Sequence, residues 1–282
     1  MKLKSLIEAG EPERLATGFQ FTEGPVWMAD GYLLFSDIPA NIMYKWTPEN
    51  GAEVWREPSG NSNGLTRNSD DLLLACEHGN RRVSRTNPDG TVETIAGAYQ
   101  GNRLNSPNDL VVKSDGVIYF TDPPYGIQPE EKEQLHNGVY RILTDGSLEL
   151  MATDFERPNG LAFSPDESIL YIDDSYYRHL RAFDVREDGI LENSRIICDM
   201  DHPQPGSPDG LKVDEEGHIY VTGATGVWVF EPDGELLGVI APPERPANCA
   251  WGDEDKKSLY LTAQTSLYRI RTTVAGSGMG IR

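Results

Sequence analysis

The sequence predicts an all-β chain folded as a six-bladed β-propeller, with four-stranded antiparallel blades around a central channel. The first observation behind this is a pattern written six times: a polar loop, an apolar strand, a tight turn, and a second strand rich in β-branched and aromatic residues. Its clearest copy reads Asn105-Ser106-Pro107-Asn108-Asp109, then Leu110-Val111-Val112, a turn at Ser114-Asp115-Gly116, and Ile118-Tyr119-Phe120-Thr121-Asp122. The second observation is spacing. Copies opening at Glu23, Asn63, Asn108, Asn159, Asp209 and Asn248 follow one another at roughly 40 to 50 residues, the period of a propeller blade. The third is punctuation: 28 glycines and 19 prolines are spread along the chain, as many short strands joined by turns require. With no linker-like stretch or shift in composition, residues 1–282 are expected to form a single domain.

Taken in order, the residues up to about Pro12 read as an irregular arm with room for one helical turn. A propeller must join its first and last blades, so Arg14-Leu15-Ala16 is expected to be a strand that closes the last blade beside residues 258–262 and 266–270. Blade one follows over residues 19–55, with 42–46 and 52–55 as its outer strands. In blades two to five the outer strands flank Pro88-Asp89-Gly90, Thr144-Asp145-Gly146, Glu187-Asp188-Gly189 and Pro232-Asp233-Gly234. Asp-Gly between apolar runs is a hairpin signal because glycine accepts the positive φ of the turn. The longest insertion, residues 123–137, follows a strand read as an inner one and is expected on the face opposite the axial ring. The connections leading into each ring residue open on the ring's own face; they carry Arg103, Arg157 and Asp201-His202-Pro203-Gln204.

A formal charge of −20 repels phosphate backbones and anionic membranes and draws in cations, which argues against nucleic-acid and membrane partners. Much of that charge reads as an ordinary solvated surface. The three cysteines are odd in number and lack metal-ligand spacing, and Cys76 and Cys249 lie within apolar strand patterns as small hydrophobes. The N-terminus lacks the apolar core of a secretion signal and no run reaches the length of a membrane span, so a cytoplasmic protein is expected. The five histidines are scattered, which disfavours a three-histidine zinc site, and no nucleophile elbow or phosphate loop is present.

Each repeat opens with an oxygen-bearing side chain: Glu23, Asn63, Asn108, Asn159, Asp209 and Asn248. The first strand of each blade lines the propeller axis, so these positions form a ring. A ring of carboxylates and carboxamides is a site for a hard cation, which takes six or more oxygens from protein and water. Glu23 and Asp209 supply two negative charges, matching a divalent ion, while Asn159 and Asn108 add neutral oxygens. The competing reading is that all six are turn-formers satisfying backbone amides; a glutamate, a poor turn-former, speaks against it. A metal at the ring would polarise a carbonyl and acidify water, and Asp209 is the candidate general base, with Glu23 or hydroxide on the metal as alternatives. Asn63, Asn248, Tyr125 and Trp251 are candidate pocket walls, with Tyr125 and Trp251 expected rather to pack inside the propeller.

The segments Phe21-Thr22-Glu23-Gly24-Pro25-Val26-Trp27, Arg103-Leu104-Asn105-Ser106-Pro107-Asn108-Asp109-Leu110, Tyr119-Phe120-Thr121-Asp122-Pro123-Pro124-Tyr125-Gly126, Pro158-Asn159-Gly160-Leu161-Ala162-Phe163-Ser164 and Pro208-Asp209-Gly210 carry a resemblance. In wording and order they resemble the senescence-marker-protein/gluconolactonase (regucalcin-like) family over nearly the whole chain, and its bacterial gluconolactonases most of all. The resemblance implies one axial divalent metal and hydrolysis of sugar lactones. It carries the metal ligands onto Glu23, Asn159 and Asp209, with Asn108 either a ligand or a holder of the metal's water and substrate. Arg103 matches a substrate-contacting arginine. An all-oxygen site suits Ca2+ first, with Mg2+, Mn2+, Zn2+ or Fe2+ as alternatives. The resemblance implies an aldonolactone as substrate, gluconolactone in the first place. The rivals are phosphotriester hydrolysis at the same ring and a calcium-binding or protein-binding propeller without turnover.

Overall fold

The computed structural model describes residues 3–278. Six four-stranded antiparallel sheets follow one another around an axis, forming a six-bladed β-propeller. The inner strands are Thr22–Met28, Ser62–Arg67, Leu110–Val112, Pro158–Phe163, Leu211–Val213 and Asn248–Gly252, each beginning within two residues of a ring residue. The outer hairpins fall where the Asp-Gly signals put them; Gly90 and Gly146 adopt φ of +83° and +86°. The ring closes as expected: Glu13–Thr17 is the outermost strand of the sixth blade, with Glu13 opposite Arg269 and Thr17 opposite Ser266. One strand from the start of the chain thus completes a blade made by its end, so the toroid has no free seam.

Apolar residues from facing blades interlock between them. Leu74, Cys76 and Val83 of blade two meet Leu110, Phe120 and Tyr140 of blade three, and Ala162, Tyr171 and Leu180 of blade four meet Leu211, Val221 and Phe230 of blade five. Burial holds the Cys76 thiol well above its ordinary pKa and pushes Cys198 and Cys249 up to about 12, so all three are thiols rather than nucleophilic thiolates.

Two devices position the starts of several inner strands. In blades one, three and four an aspartate ending the second strand receives the backbone amides of the loop entering its own blade. Asp37 accepts from Gln20 (2.8 Å) and Phe21 (3.1 Å), Asp122 from Asn105 (2.8 Å) and Ser106 (2.7 Å), and Asp174 from Glu156 (2.8 Å) and Arg157 (3.2 Å). The position before the end of the second strand ties one blade to the next in blades one, three and five: the hydroxyls of Ser36, Thr121 and Thr222 donate to the carbonyls of Asn63, Asn159 and Ala247 at 2.7–2.9 Å. Glycine after a ring residue answers to crowding at the hub. A Cβ on Gly24 would lie 1.9 Å from the Asn63 carbonyl oxygen, and one on Gly160 2.1 Å from that of Asp209.

The insertion at 123–137 departs from expectation. The strand before it, Ile118–Asp122, is the second of its blade, not the inner one. The chain has therefore run away from the ring face and returned to it, and Tyr125 lines the same cavity as Glu23 and Asn108.

Candidate active site

Five of the six ring side chains, Glu23, Asn63, Asn108, Asn159 and Asp209, line one cavity of about 400 Å³ at the mouth of the hub. Glu23 is 2% exposed. Its Oε2 accepts from the Gly24 amide (2.6 Å) and from Asn248 Nδ2 (3.0 Å). Burial first, then the charges of Asp209 and Asp109, hold its carboxyl well above the usual carboxylate range. Asp209, partly exposed to the cavity, is pushed up to about 7 by burial, against hydrogen bonds with Asn159 and Glu23 that favour its charge. Two carboxyl groups within hydrogen-bonding reach thus share a poorly hydrated space. Among the described residues neither is paired with a base.

The neutral members are held by neighbours. Asn159 Nδ2 donates to Ser175 Oγ (3.0 Å), which donates to the Pro208 carbonyl (2.7 Å). Asn63 Nδ2 lies 3.2 Å from His78 Nε2, and burial lowers the His78 pKa to about 4. Burial thus favours the neutral imidazole, with its Nε2 facing the Asn63 amide. Tyr125, Arg157 and Arg245 complete the wall. The Arg157 guanidinium sits over the rings of Tyr125 (5.7 Å) and Tyr176 (6.0 Å). The charge of Arg245 reaches Asp209. Among the described residues no carboxylate pairs with either arginine.

Glu23, Asn108, Asn159 and Asp209 are brought together; Arg103 is not with them. It is exposed in the hairpin Ala98–Tyr99/Asn102–Arg103, with its guanidinium on the Asn80 carbonyl (3.1 Å) and its amide on Glu133 (2.8 Å). The loop between Gly97 and Leu104 folds as its own hairpin, which carries Arg103 away from the lining; Arg157 and Arg245 occupy the wall instead. Asn248 lies behind Glu23 rather than in the cavity wall, and Trp251 packs against Tyr220 with ring centroids 4.8 Å apart. Sequence reasoning passed over Asp109, Asp173 and Lys212. Asp109 stands where glycine follows Glu23, Asn63, Asn159 and Asp209, and Asp173 where Ser36, Thr121 and Thr222 place a hydroxyl. Both breaks in the repeat were visible in the aligned copies.

The donor set fits a hard divalent cation. Glu23, buried, and Asp209, at the cavity edge, repel one another; among the described residues neither forms a salt bridge, although the Arg245 charge reaches Asp209, and carboxamide oxygens stand beside them. Among the described residues no three acidic, histidine or cysteine side chains converge as a metal cluster, so the fit rests on this mixed set of carboxylates and carboxamides.

These features define a class: a six-bladed propeller with an oxygen-rich, acidic site on its axis. Within that class, the chain belongs to the SMP-30/gluconolactonase/LRE-like family, whose model matches residues 21–265. It is 34% identical to the gluconolactonase of Zymomonas mobilis, an alignment that takes in 98% of this chain and 85% of that one. It is 28% identical to a pentonolactonase of Haloferax volcanii over 87% of this chain and 82% of the relative. The solved structure of a gluconolactonase from Xanthomonas campestris superposes with a TM-score of 0.88 at 35% identity, covering 96% of this chain and 92% of that one. No helix among the described residues is long and apolar enough to cross a membrane.

Proposed function

We propose that this protein is a lactonase that opens sugar lactones by water attack, a gluconolactonase-type enzyme dependent on one divalent cation. The observation that carries the reading is the convergence of Glu23, Asp209, Asn159 and Asn108 on one cavity, in a chain with gluconolactonase and pentonolactonase relatives along nearly its full length. Glu23, Asn159 and Asp209, with Asn108, would hold the cation, Ca2+ in the first place. Bound there, it supplies electrophilic polarisation of a carbonyl oxygen.

The chain's own residues do the rest. Asp209 takes the proton of the attacking water at a carboxylate oxygen and returns it to the ring oxygen as the carbonyl carbon–oxygen bond breaks, leaving a hydroxy acid. Arg245, whose charge reaches Asp209, stabilises the carboxylate that forms. Asn63, held by His78, and Arg157, held over Tyr125, bind substrate hydroxyls. The Tyr125 ring limits bulk water at the reacting centre.

The test follows acid release from glucono-1,5-lactone and several pentono- and hexonolactones, before and after chelation, beside a phosphotriester. Chelator-sensitive acid release, restored by added Ca2+ or Mn2+, is the expected result. Turnover of the phosphotriester alone, or cation binding with no turnover, would overturn the reading.

A further inference from the structure

The hub holds a second layer of polar side chains behind the cavity, built on the break in the repeat at Asp109. Four ring residues are followed by glycine; Asn108 is followed by a carboxylate that is only 2% exposed. Its Oδ1 accepts from the Leu110 amide at 2.9 Å. Its Oδ2 faces across the axis to Asn248 Nδ2, at 3.3 Å, and to Lys212 Nζ, at 3.8 Å. Lys212 rises from the opposite end of the channel, where its stem lines a cavity of about 440 Å³ walled by Trp27, Phe163 and Trp251.

Asn248 has no freedom in this arrangement. Its Oδ1 accepts from the Cys249 amide at 2.8 Å, and its Nδ2 donates to Asp109 Oδ2 and to Glu23 Oε2. Both of the latter are carboxylate oxygens, so the amide orientation has one solution. Glu23 Oε2 is then filled by Asn248 and the Gly24 amide, while Oε1 takes neither bond. Three blades thus hold a residue of the first: Asp109 from the third, Lys212 from the fifth and Asn248 from the sixth act on Glu23.

We propose that Asp109 and Lys212 are positioning residues for Glu23, acting through Asn248. Asp109 orients the Asn248 amide, Asn248 fixes which Glu23 oxygen faces the cavity, and Lys212 neutralises Asp109 so that this third carboxylate can stay buried beside two others. The inference rests on the reading of the cavity as a cation-dependent lactonase site, but concerns residues that touch neither cation nor substrate.

The test compares wild type with Asp109→Ala, Asp109→Asn, Lys212→Met, Asn248→Ala and the Asp109→Ala/Asn248→Ala pair. Ca2+ binding is measured by calorimetry without substrate, and kcat and KM on gluconolactone alongside it. Asp109→Ala is expected to weaken Ca2+ binding and lower kcat by about tenfold each, at near-constant KM, the size of one lost buried hydrogen bond to a charged group. Asp109→Asn, which keeps an acceptor for Asn248, recovers most of the loss. The double variant is no worse than Asn248→Ala, because both act along one chain of contacts. Additive losses, or an Asp109→Ala protein with wild-type affinity and kcat, overturn the proposal. Should Asp109→Ala fail to fold, Lys212→Met carries the test: a loss of at least about threefold in affinity supports it, and none overturns it. A crystal structure of either variant in which Asn248 and Glu23 keep their positions overturns it whether or not a lactone is turned over. Absence of lactone hydrolysis in wild type would instead sink the lactonase reading alone.

Discussion

Replacing Asp209 by asparagine is expected to stabilise the cation-free protein while destroying its activity. The Asp209 pKa rises from 3.8 to about 7 on folding, chiefly because burial disfavours its charge. The folded state therefore holds this proton more tightly than the unfolded state. Its contribution is most favourable below the unfolded value, falls away as pH climbs through the folded one, and is flat above it. At 1.36 kcal/mol per unit, the penalty above pH 7 is on the order of 4 kcal/mol, less what solvent at the cavity edge screens. Asparagine occupies the same space without ionising. In chelator-containing buffer, Asp209→Asn minus wild type should thus be near zero at pH 4 and grow to a plateau above pH 7. That plateau corresponds to a gain on the order of 8 °C in Tm for a chain of this size. Ca2+ at about a hundred times its Kd should close more than half of that gap, since it adds about 2.7 kcal/mol to the wild type and little to the variant. Thermal melts by circular dichroism across pH, with chelator and with Ca2+, make the comparison. A wild type that melts at or above Asp209→Asn in chelator at pH 8 would refute the description of this site as an unneutralised carboxyl pair.

Three further outcomes follow from the same geometry. Glu23→Gln keeps the hydrogen bond to the Gly24 amide but removes one of two charges; kcat/KM on gluconolactone should fall by about 100-fold or more, with residual rate insensitive to chelation, measured by pH-stat. Arg245→Gln should cost about tenfold in kcat/KM, whereas Arg103→Gln, on the Asn80 carbonyl outside the cavity, should cost less than about twofold in the same assay. Gly160→Ala would press a methyl to 2.1 Å from the Asp209 carbonyl oxygen, and should cost at least about 3 kcal/mol in urea unfolding or abolish soluble protein.

The blade count, the closing strand and the outer hairpins were legible because each rests on local chemistry. Alternating apolar residues make strands, Asp-Gly makes tight turns, and the six copies keep one spacing. The ring was legible for the same reason: a repeat puts equivalent residues at equivalent places, so Glu23, Asn108, Asn159 and Asp209 met without any knowledge of their loops. Where the chain leaves the repeat, that logic ends. Arg103 was expected at the substrate because its loop leads into the ring, but the loop pairs with itself, and Arg157 and Arg245 reach the cavity instead. The insertion 123–137 lies on the ring's face and brings Tyr125 to the cavity because the strand before it is the second of its blade, and inner and second strands look alike in sequence.

What the linear chain determined, then, is the periodic part: the toroid and the side chains that face its axis. What only the folded molecule decided is how non-equivalent residues meet across the hub. Asp109, Asn248, Lys212 and Glu23 come from four blades and are separated by up to 225 residues, with no shared spacing to betray them. Their contact exists because the inner strands converge closely enough for side chains from different blades to hydrogen-bond across the axis, a distance set by the closed ring and by no local stretch of sequence.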